Sequence, residues 1–359
     1  MSNRWRPWMQ RALQLAALGS GRTNPNPLVG CVVLDAADQL VGEGFHQRAG
    51  TPHAEVHALR QAGERARGGT AVVTLEPCCH HGRTPPCSEA LLTAGVTRVV
   101  VAMRDPDPRV SGQGLAQLRE AGVEVVAEVC EAEARHLNRA FIHRVEQGRP
   151  LGILKWAMSL DGRTALPNGS SQWISGPPAR AWVHRLRAQC DAVIVGGGTV
   201  RTDNPLLTSR GQREPEPLRV VISRTLELPA EAQLWDQQLA PTLVVHGYDA
   251  PAPRRFRLDA LGVERLVLER CEPLELLQAL GQRGCNQVVW ECGPELAAAA
   301  VRQACVQQVA AVVAPKLLGG VAARTPLGDL GLMDVNQAAS WSSSRLGQLG
   351  NDCLLELSL

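Results

Sequence analysis

The sequence predicts an α/β protein built from two domains. Apolar β-rich runs alternate with segments of helical periodicity along most of the 359 residues, a pattern typical of largely parallel sheets with helices on both faces. The length is sufficient for two hydrophobic cores. Residues 147–150 form a short stretch with Gly and Pro after a polar helical segment, which marks the expected boundary. We therefore expect one domain over residues 1–147 and a second over residues 150–359.

The first half begins with a helical pattern over residues 8–19. A β-rich run at 28–35 is followed by a run at 39–45 that is its expected hairpin partner. Further strands are expected at 72–75, 98–103 and 124–129, and helices at 53–59, 88–94, 114–121 and 132–146.

The second half restarts with an apolar run from Leu151 that predicts a strand. Further strands are expected at 192–195, 218–223, 243–246, 263–268, 309–314 and 353–357, with another directly before Gly293. The proline-rich segment 248–256 is expected to be a loop.

The composition narrows the classes of function. The formal net charge is +2 with basic and acidic residues interspersed, so there is no general signal for polyanion binding. Aromatic residues make up only 3% of the chain, which disfavours a stacking platform for single-stranded nucleic acid. No run reaches membrane-spanning length, and the N-terminus lacks the apolar region of a secretion signal. Eleven cysteines without a disulfide framework suit a reducing cytosol, so we expect a cytoplasmic protein without nucleic-acid or membrane partners.

One constellation of residues predicts metal chemistry. His53, Cys78 and Cys87 offer zinc three ligands, and a catalytic zinc site keeps its fourth position for water. Bound zinc lowers the pKa of a water to about 7. Glu55 lies two residues from His53 and can carry the protons of that water without binding the metal. H-x-E followed by P-C is the signature of zinc-dependent nucleobase deaminases, although eight residues separate these two cysteines instead of the usual two.

Simpler interpretations apply to the other cysteines and histidines. Adjacent cysteines rarely point the same way, so we choose Cys78 over Cys79. A closed structural zinc site would need a fourth protein ligand such as His80 or His81. The remaining thiols lack ligand spacing and are interpreted as core or incidental residues; they are Cys31, Cys130, Cys190, Cys271, Cys285, Cys292, Cys305 and Cys353.

Three motifs carry a resemblance to a known family. Residues 75–78, residues 84–87 and the sequence Asn24-Pro25-Asn26-Pro27-Leu28-Val29-Gly30 resemble the bifunctional riboflavin-biosynthesis deaminase/reductase, whose two cysteines are separated by a long insertion. The resemblance covers nearly the whole chain and departs at Cys79, where the family more often has serine. It implies a cytidine-deaminase-like fold for the first domain and a dihydrofolate-reductase-like fold for the second.

The resemblance implies two successive reactions on small pyrimidine ribose-phosphates. The first is zinc-dependent deamination of 2,5-diamino-6-ribosylamino-4(3H)-pyrimidinone 5′-phosphate, with Glu55 as proton carrier. Asn24, His80 and Arg83 are expected to bind the base and the ribose phosphate. The second reaction reduces the ribosyl group to ribityl with hydride from NADPH, giving 5-amino-6-(5-phosphoribitylamino)uracil.

Two glycine turns in the second half are candidates for binding a phosphate. Gly196-Gly197-Gly198-Thr199 follows a buried strand, and Gly293 lies between a strand and a helix, where free N–H groups can face an anion. A triple glycine is equally consistent with a tight turn that binds nothing. Neither turn is a G-x-G-x-x-G fingerprint, so a Rossmann dehydrogenase is disfavoured.

The resemblance also assigns residues of the second domain to two ligands. Contacts with the nicotinamide cofactor are expected from Ala157, Trp173, Thr199, Asp203, Ser223, Gly293, Pro294, Glu295, Leu296, Ala297, Ala298 and Ala299. Contacts with the substrate are expected from Ser171, Arg187, Leu207, Arg210 and Glu291. An arginine fork pairs well with a sugar phosphate, although a solvated surface charge is the simpler interpretation of either arginine. Lys155 has either a structural or a substrate-binding role.

Two rival functions stay open on these grounds. One is a base deaminase acting on RNA or free nucleosides, with the C-terminal half as a binding module. The other is a non-enzymatic module stabilised by a structural zinc. The sequence leaves the oligomeric state open, a homo-oligomer included.

Overall fold

The computed structural model of the chain describes residues 2–80, 85–108 and 110–359, without the side chains of residues 2, 3, 343 and 344. The chain divides into two compact units, Met1–Gly148 and Arg149–Leu359. Each unit has its own hydrophobic core.

The described residues of the first unit contain a five-stranded sheet in the order β2-β1-β3-β4-β5. Its strands are β1 (Gly30–Leu34), β2 (Leu40–Phe45), β3 (Thr70–Val73), β4 (Arg98–Val101) and β5 (Glu124–Val126). β1 pairs antiparallel with β2, which confirms the predicted hairpin, and also antiparallel with β3. β3, β4 and β5 are parallel. Within this sheet, the expectation of a largely parallel arrangement therefore holds only for these last three strands.

The helices of the first unit pack on this sheet. They are α1 (Arg6–Ala17), α2 (Ala54–Ala62), α3 (Cys87–Ala94), α4 (Gln113–Glu120), α5 (Glu131–Leu137) and α6 (Arg139–Gln147). α1 has a proline in its first turn, where the missing N–H costs nothing. Met9, Ala12 and Leu15 recur at helical spacing and are buried, so one face of α1 contributes to the core.

The single helix expected at residues 132–146 is wrong, because Asn138 divides it into α5 and α6. The Asn138 side chain accepts the N–H of Leu28 at 2.8 Å and donates to the Leu28 carbonyl at 2.9 Å. These two hydrogen bonds connect the break between α5 and α6 to the segment that leads into β1.

The described residues of the second unit contain a nine-stranded sheet in the order β10-β9-β8-β7-β11-β6-β12-β14-β13. Its strands are β6 (Leu151–Ser159), β7 (Ala192–Gly196), β8 (Leu218–Ile222), β9 (Thr242–His246), β10 (Glu264–Val267), β11 (Gln287–Trp290), β12 (Gln308–Ala314), β13 (Ser342–Leu349) and β14 (Asp352–Ser358). The strands from β10 to β12 in this order are parallel, and the hairpin β13-β14 joins antiparallel.

The helices of the second unit are α7 (Pro177–Gln189), α8 (Gly197–Asp203), α9 (Ala252–Ala260), α10 (Pro273–Gln282) and α11 (Pro294–Arg302). The segment 248–256 is not wholly a loop, because α9 begins at Ala252. Its proline lies in the first helical turn, where proline is tolerated. In the part of the chain that the structure describes, no helix combines the length and the apolar character needed to cross a bilayer.

Two candidate active sites

Three elements of the first unit bring His53, Cys78 and Cys87 together. His53 directly precedes α2, Cys87 is the first residue of α3, and Cys78 lies in the segment that follows β3. α3 begins at Cys87 because Pro86 before it has the extended backbone of an N-cap. The positive ends of both helix dipoles therefore lie next to the three side chains.

The three side chains have the geometry of a tetrahedral metal site. His53 Nδ1 lies 3.2 Å from Cys87 Sγ and 3.6 Å from Cys78 Sγ. All three ligand atoms lie within 4.8 Å of one another. Zinc bonds of about 2.3 Å to sulfur and about 2.0 Å to nitrogen, at tetrahedral angles, require separations of this size. The residues therefore fit one zinc ion with one position left for another ligand.

The electrostatics of the two thiols favour a bound cation. The Cys87 thiol hydrogen-bonds to Cys78 and lowers the pKa of Cys78 to about 4, and His53 adds to this effect. The bond to Cys78, together with burial, raises the pKa of Cys87. The lowered pKa of Cys78 favours its thiolate, the form that binds metal.

Glu55 lies in the first turn of α2 and is 3% exposed. Its Oε2 atom is buried and has no hydrogen-bond partner among the described residues. Burial, followed by the charge of Cys78, raises the pKa of Glu55. A buried carboxylate oxygen without a partner is costly, so this position fits a polar ligand such as a water held beside the metal.

A cavity of about 830 Å³ opens beside these residues. Its wall includes His53, Glu55, Cys78 and His80 but not Asn24, whose place is taken by Asn26 two residues later. The expectation that Asn24 binds the base or the ribose phosphate stays a prediction, and the structure adds Asn26 as a candidate. Arg83, like His81, lies outside the described residues.

The sequence interpretation missed several polar residues of this wall, three of which are Asn26, His46 and Asp105. Asn26 Nδ2 lies 3.1 Å from Nε2 of His46, and His46 Nδ1 lies 3.3 Å from the Pro52 carbonyl. Asp105 is the third, and its burial raises its pKa. The N-terminal motif contains both Asn24 and Asn26, and of these two Asn26 lines the cavity.

A second cavity, of about 650 Å³, lies in the second unit. Eleven of the residues predicted to bind cofactor or substrate line it: Ala157, Ser171, Trp173, Arg187, Thr199, Asp203, Leu207, Arg210, Glu291, Gly293 and Pro294. Lys155 also belongs to its wall. The structure therefore gathers residues separated by more than a hundred positions at one place.

The other predicted cofactor residues do not line the cavity. Five of them follow Pro294 along α11, and two of these are buried in the core; the five are Glu295, Leu296, Ala297, Ala298 and Ala299. A helix turns away from a ligand after its first turn, which explains why only Gly293 and Pro294 reach the wall. Ser223 lies after β8, with its Oγ 3.0 Å from the position that a Cβ on Gly197 would occupy.

A buried charge cluster forms part of the second cavity wall. Arg187 Nε lies 2.6 Å from Glu291 Oε1, and Lys155 Nζ lies 3.6 Å from Glu291 Oε2. Burial opposes ionisation of Glu291, but the charges of Arg187 and Lys155 outweigh it and lower the pKa of Glu291 to about 2. Burial lowers the pKa of Lys155; the negative charge of Glu291 opposes this effect, and the positive charge of Arg187 adds to it.

The two arginines of this wall differ in their availability to a phosphate. Arg187 uses Nε and Nη2 on Glu291 and donates Nη1 to the Thr208 carbonyl at 3.0 Å. Arg210 is exposed, and its guanidinium makes no hydrogen bond or ion pair with the described residues. Arg210 is therefore more available to a phosphate than Arg187, and contact of either arginine with the substrate stays a prediction.

Two further atoms indicate that this cavity holds a ligand. His184 Nδ1 and Trp156 Nε1 are buried and have no hydrogen-bond partner in the described residues, and both side chains line the cavity. Gly293, which lines the same cavity, has no atom within 4 Å of the position of an added Cβ. Unpaired polar atoms and an open glycine turn fit a large polar molecule such as a nicotinamide dinucleotide.

Comparison with known proteins identifies a matching family for each of the two units. Residues 3–103 match the cytidine and deoxycytidylate deaminase zinc-binding region, and residues 150–355 match the RibD C-terminal domain. A riboflavin biosynthesis protein RibD from Synechocystis sp. is 51% identical over 346 residues, which cover 96% of this chain and 94% of that protein. The chain belongs to the RibD family of riboflavin biosynthesis proteins.

Solved structures are similar to this chain over its full length. RibD from Acinetobacter baumannii superposes with a TM-score of 0.90 at 42% identity, covering 100% of this chain and 99% of that one. A diaminohydroxyphosphoribosylaminopyrimidine deaminase/5-amino-6-(5-phosphoribosylamino)uracil reductase from Thermotoga maritima gives 0.88 at 34% identity, covering 99% of both chains. The predicted family and both predicted domain folds are confirmed.

Proposed function

We propose that this chain catalyses two successive steps of riboflavin biosynthesis, a deamination in the first unit and a reduction in the second. Membership of the RibD family makes it an enzyme with a deaminase and a reductase domain. The substrate of the first step is 2,5-diamino-6-ribosylamino-4(3H)-pyrimidinone 5′-phosphate, and its deaminated product is the substrate of the second. The name of the Thermotoga maritima relative supports this choice.

The proposal for the first unit depends on the unpaired Oε2 of Glu55. This atom is buried beside three side chains that fit one zinc ion, in the wall of a cavity large enough for a nucleotide. A structural zinc would need a fourth protein ligand, and among the described residues the cluster has three. This favours a catalytic site over a zinc-stabilised module.

Glu55 moves the protons in the proposed deamination. Zinc held by His53, Cys78 and Cys87 would supply Lewis acidity. Glu55 takes a proton from the attacking water as the water oxygen bonds to the ring carbon that carries the amine. It gives that proton to the ring nitrogen and then moves the hydroxyl proton to the departing amine. The C–N bond breaks, ammonia leaves, and the ring keeps a carbonyl.

The raised pKa of Glu55 suits this exchange. Burial makes its carboxyl hold a proton more readily than an exposed glutamate does. A group whose pKa lies nearer to neutral pH both accepts and returns a proton efficiently.

The second unit is proposed to position an open-chain sugar against a nicotinamide cofactor. Arg210 binds the substrate phosphate, and Lys155 and Arg187, both held by Glu291, shape the cationic wall. The bound cofactor, proposed to be NADPH, supplies a hydride. Asp203, which hydrogen-bonds to Ser171, borders the cofactor. Positioning supplies most of the rate enhancement.

The test is a paired assay on Glu55→Gln. Glutamine preserves shape and hydrogen bonding but cannot carry a proton, so ammonia release should fall about 10²–10⁴-fold while zinc content stays unchanged. Reduction of the separately supplied deaminated compound should continue at the rate of the unmodified chain. Glu64→Gln, an exposed glutamate just after α2, is the matched control and should change neither rate.

The complementary variant is Asp203→Ala, which should slow NADPH oxidation and leave ammonia release unchanged. Near-normal deamination in Glu55→Gln would remove Glu55 from the mechanism. Loss of both reactions in Glu55→Gln, with the fold intact by circular dichroism, would contradict the division of labour between the units.

A further inference from the structure

The loop that leads from α8 to β8 carries Arg210 in a turn, residues 207–211, called the Arg210 turn from here on. Leu207, Thr208 and Ser209 are buried, whereas Arg210 is exposed. Leu207 and Arg210 have φ angles of 56° and 59°, a left-handed conformation that is unfavourable for a residue with a side chain unless surrounding contacts enforce it. Contacts with residues outside the turn must therefore maintain its shape.

The carboxylate of Glu216 binds the N–H groups of the two residues that flank Arg210. Its Oε2 atom accepts the N–H of Ser209 at 2.6 Å, and its Oε1 atom accepts the N–H of Gly211 at 2.9 Å. Converging N–H groups of a turn form a concave site for an anion, and here the anion is a side chain of the same protein. Hydrogen bonds to an ionised acceptor are roughly twice as strong as neutral ones. Glu216 thus fixes the backbone on both sides of Arg210.

Glu216 fixes this backbone without neutralising the arginine. Neither the Arg210 guanidinium nor the Glu216 carboxylate forms an ion pair with a described residue. Arg210 belongs to the described wall of the second cavity, whereas Glu216 does not, so the carboxylate acts on the turn from outside the cavity. Because both N–H groups are already occupied, the turn offers a phosphate its arginine side chain and not its backbone.

We propose that Glu216 is a positioning residue for the reduction: by bridging Ser209 and Gly211 it holds Arg210 in the orientation that binds the substrate phosphate. The inference rests on the proposed function, in which Arg210 is the phosphate ligand. A side chain on an unsupported loop has many orientations, and a ligand that binds it must offset the free energy of ordering the loop. A turn that is already ordered removes this cost. Glu216 therefore lowers the KM for the phosphorylated substrate without contacting it.

The experiment measures steady-state NADPH oxidation by the full chain, with the deaminated compound and with its dephosphorylated form. In Glu216→Ala both N–H groups lose their acceptor. The KM for the phosphorylated compound should rise at least about threefold, towards the about ten- to hundredfold expected for Arg210→Gln, while kcat and the KM values for NADPH and the dephosphorylated compound stay unchanged. Glu216→Gln keeps one acceptor oxygen but turns an amino group towards the other N–H, so its KM should lie between those of the unmodified chain and Glu216→Ala.

Glu214→Ala is the matched control, because Glu214 is an exposed glutamate two positions before Glu216 and makes no hydrogen bond or ion pair with the described residues. It should leave every kinetic constant unchanged. The decisive comparison is Glu216→Ala in the Arg210→Gln background. If Glu216 acts through Arg210, the second substitution should raise the KM no further, whereas a structural role elsewhere would add its own loss to that of Arg210→Gln.

Three results would overturn the inference. They are an unchanged KM for the phosphorylated compound in both Glu216 variants, an equal rise in KM for both compounds, and a full additional rise in the Arg210→Gln background. If Glu216→Ala does not fold, Glu216→Gln, which preserves the side-chain volume, gives the same three comparisons. Each result leaves the proposed function standing if Arg210→Gln alone raises the KM for the phosphorylated compound. An unchanged KM in Arg210→Gln would instead contradict the proposed role of Arg210, and this inference with it.

Discussion

Arg187 and Glu291 form a two-point ion pair in the wall of the second cavity. Nε of Arg187 lies 2.6 Å from Oε1 of Glu291, and Nη2 lies 3.1 Å from Oε2. The two side chains are 13% and 10% exposed. The carboxylate is shared with Lys155, which is 16% exposed, so a single anion balances two buried cations.

Replacing Glu291 with glutamine should therefore destabilise the chain. Lys155 and Arg187 would remain buried without a counter-charge, which typically costs about 3–5 kcal/mol. The free energy of unfolding from urea titration measures this loss. Glu264→Gln is the control, because Glu264 pairs with Arg283 at the surface and such pairs contribute about 0–1 kcal/mol. Equal losses of unfolding free energy in the two variants would show that the buried cluster stabilises the chain no more than a surface ion pair does.

The carboxylate of Glu291 should also make the free energy of unfolding depend on pH. The pKa of Glu291 is about 2 in the folded chain and about 4.3 in an unfolded one. Its stabilisation is fully present above pH 4.3 and is lost as the pH falls towards 2, because the unfolded state binds the proton first. The difference in unfolding free energy between the unmodified chain and Glu291→Gln should shrink over this window. A difference that stays constant from pH 6 to pH 3 would contradict the ion pair.

Cys87→Ser should lose both zinc and deamination. The unmodified chain should contain about one zinc per chain, held by three protein ligands, and removing one of them leaves too few. Metal analysis and ammonia release give the readouts. Cys79→Ser is the control, because Cys79 adjoins Cys78 but is outside the three-residue cluster, and it should retain both. Full zinc content in Cys87→Ser would overturn the ligand assignment.

Arg210→Gln should weaken binding of the phosphorylated substrate. Loss of one charged hydrogen-bonded contact is expected to raise the KM about ten- to hundredfold, without a change in melting temperature, because Arg210 makes no ion pair within the described residues. The KM for the dephosphorylated substrate should be the same in Arg210→Gln and in the unmodified chain. Arg185→Gln, on the exposed side of α7, should change neither value. An equal change in the KM for both substrates would show that the phosphate does not bind at Arg210.

Gly293→Val should impair cofactor binding while the fold stays intact. Gly293 has a φ of −69°, which valine adopts, and no atom lies within 4 Å of an added Cβ. The valine side chain would instead fill the space proposed for a cofactor phosphate. The KM for NADPH should rise at least about tenfold, or about 1.4 kcal/mol, with Gly293→Ala intermediate. An unchanged KM, at an unchanged melting temperature, would exclude close backbone approach at this turn.

Several features of this protein follow from the sequence alone. The cluster of His53, Cys78 and Cys87 could be found because metal chemistry restricts ligand types and because two of the ligands, His53 and Cys87, stand at the starts of helices that local signals predict. The β1-β2 hairpin and most strands could be predicted from apolar runs and the turns between them, since these are properties of neighbouring residues. The family resemblance identified both domain folds for the same reason, through short local motifs.

Tertiary structure decided the features that depend on distant residues. Asn138 ends a helix because its amide bonds to the backbone of Leu28, 110 positions away, and helical periodicity carries no trace of that partner. Arg187 is occupied by Glu291, 104 positions away, so its availability to a phosphate was settled by an ion pair and not by its type. Asn26 rather than Asn24 reaches the first cavity because the path of the backbone, not the motif, determines which side chain points inward. Local sequence determines which chemistry a segment carries, and the packing of distant segments determines which atoms remain free to use it.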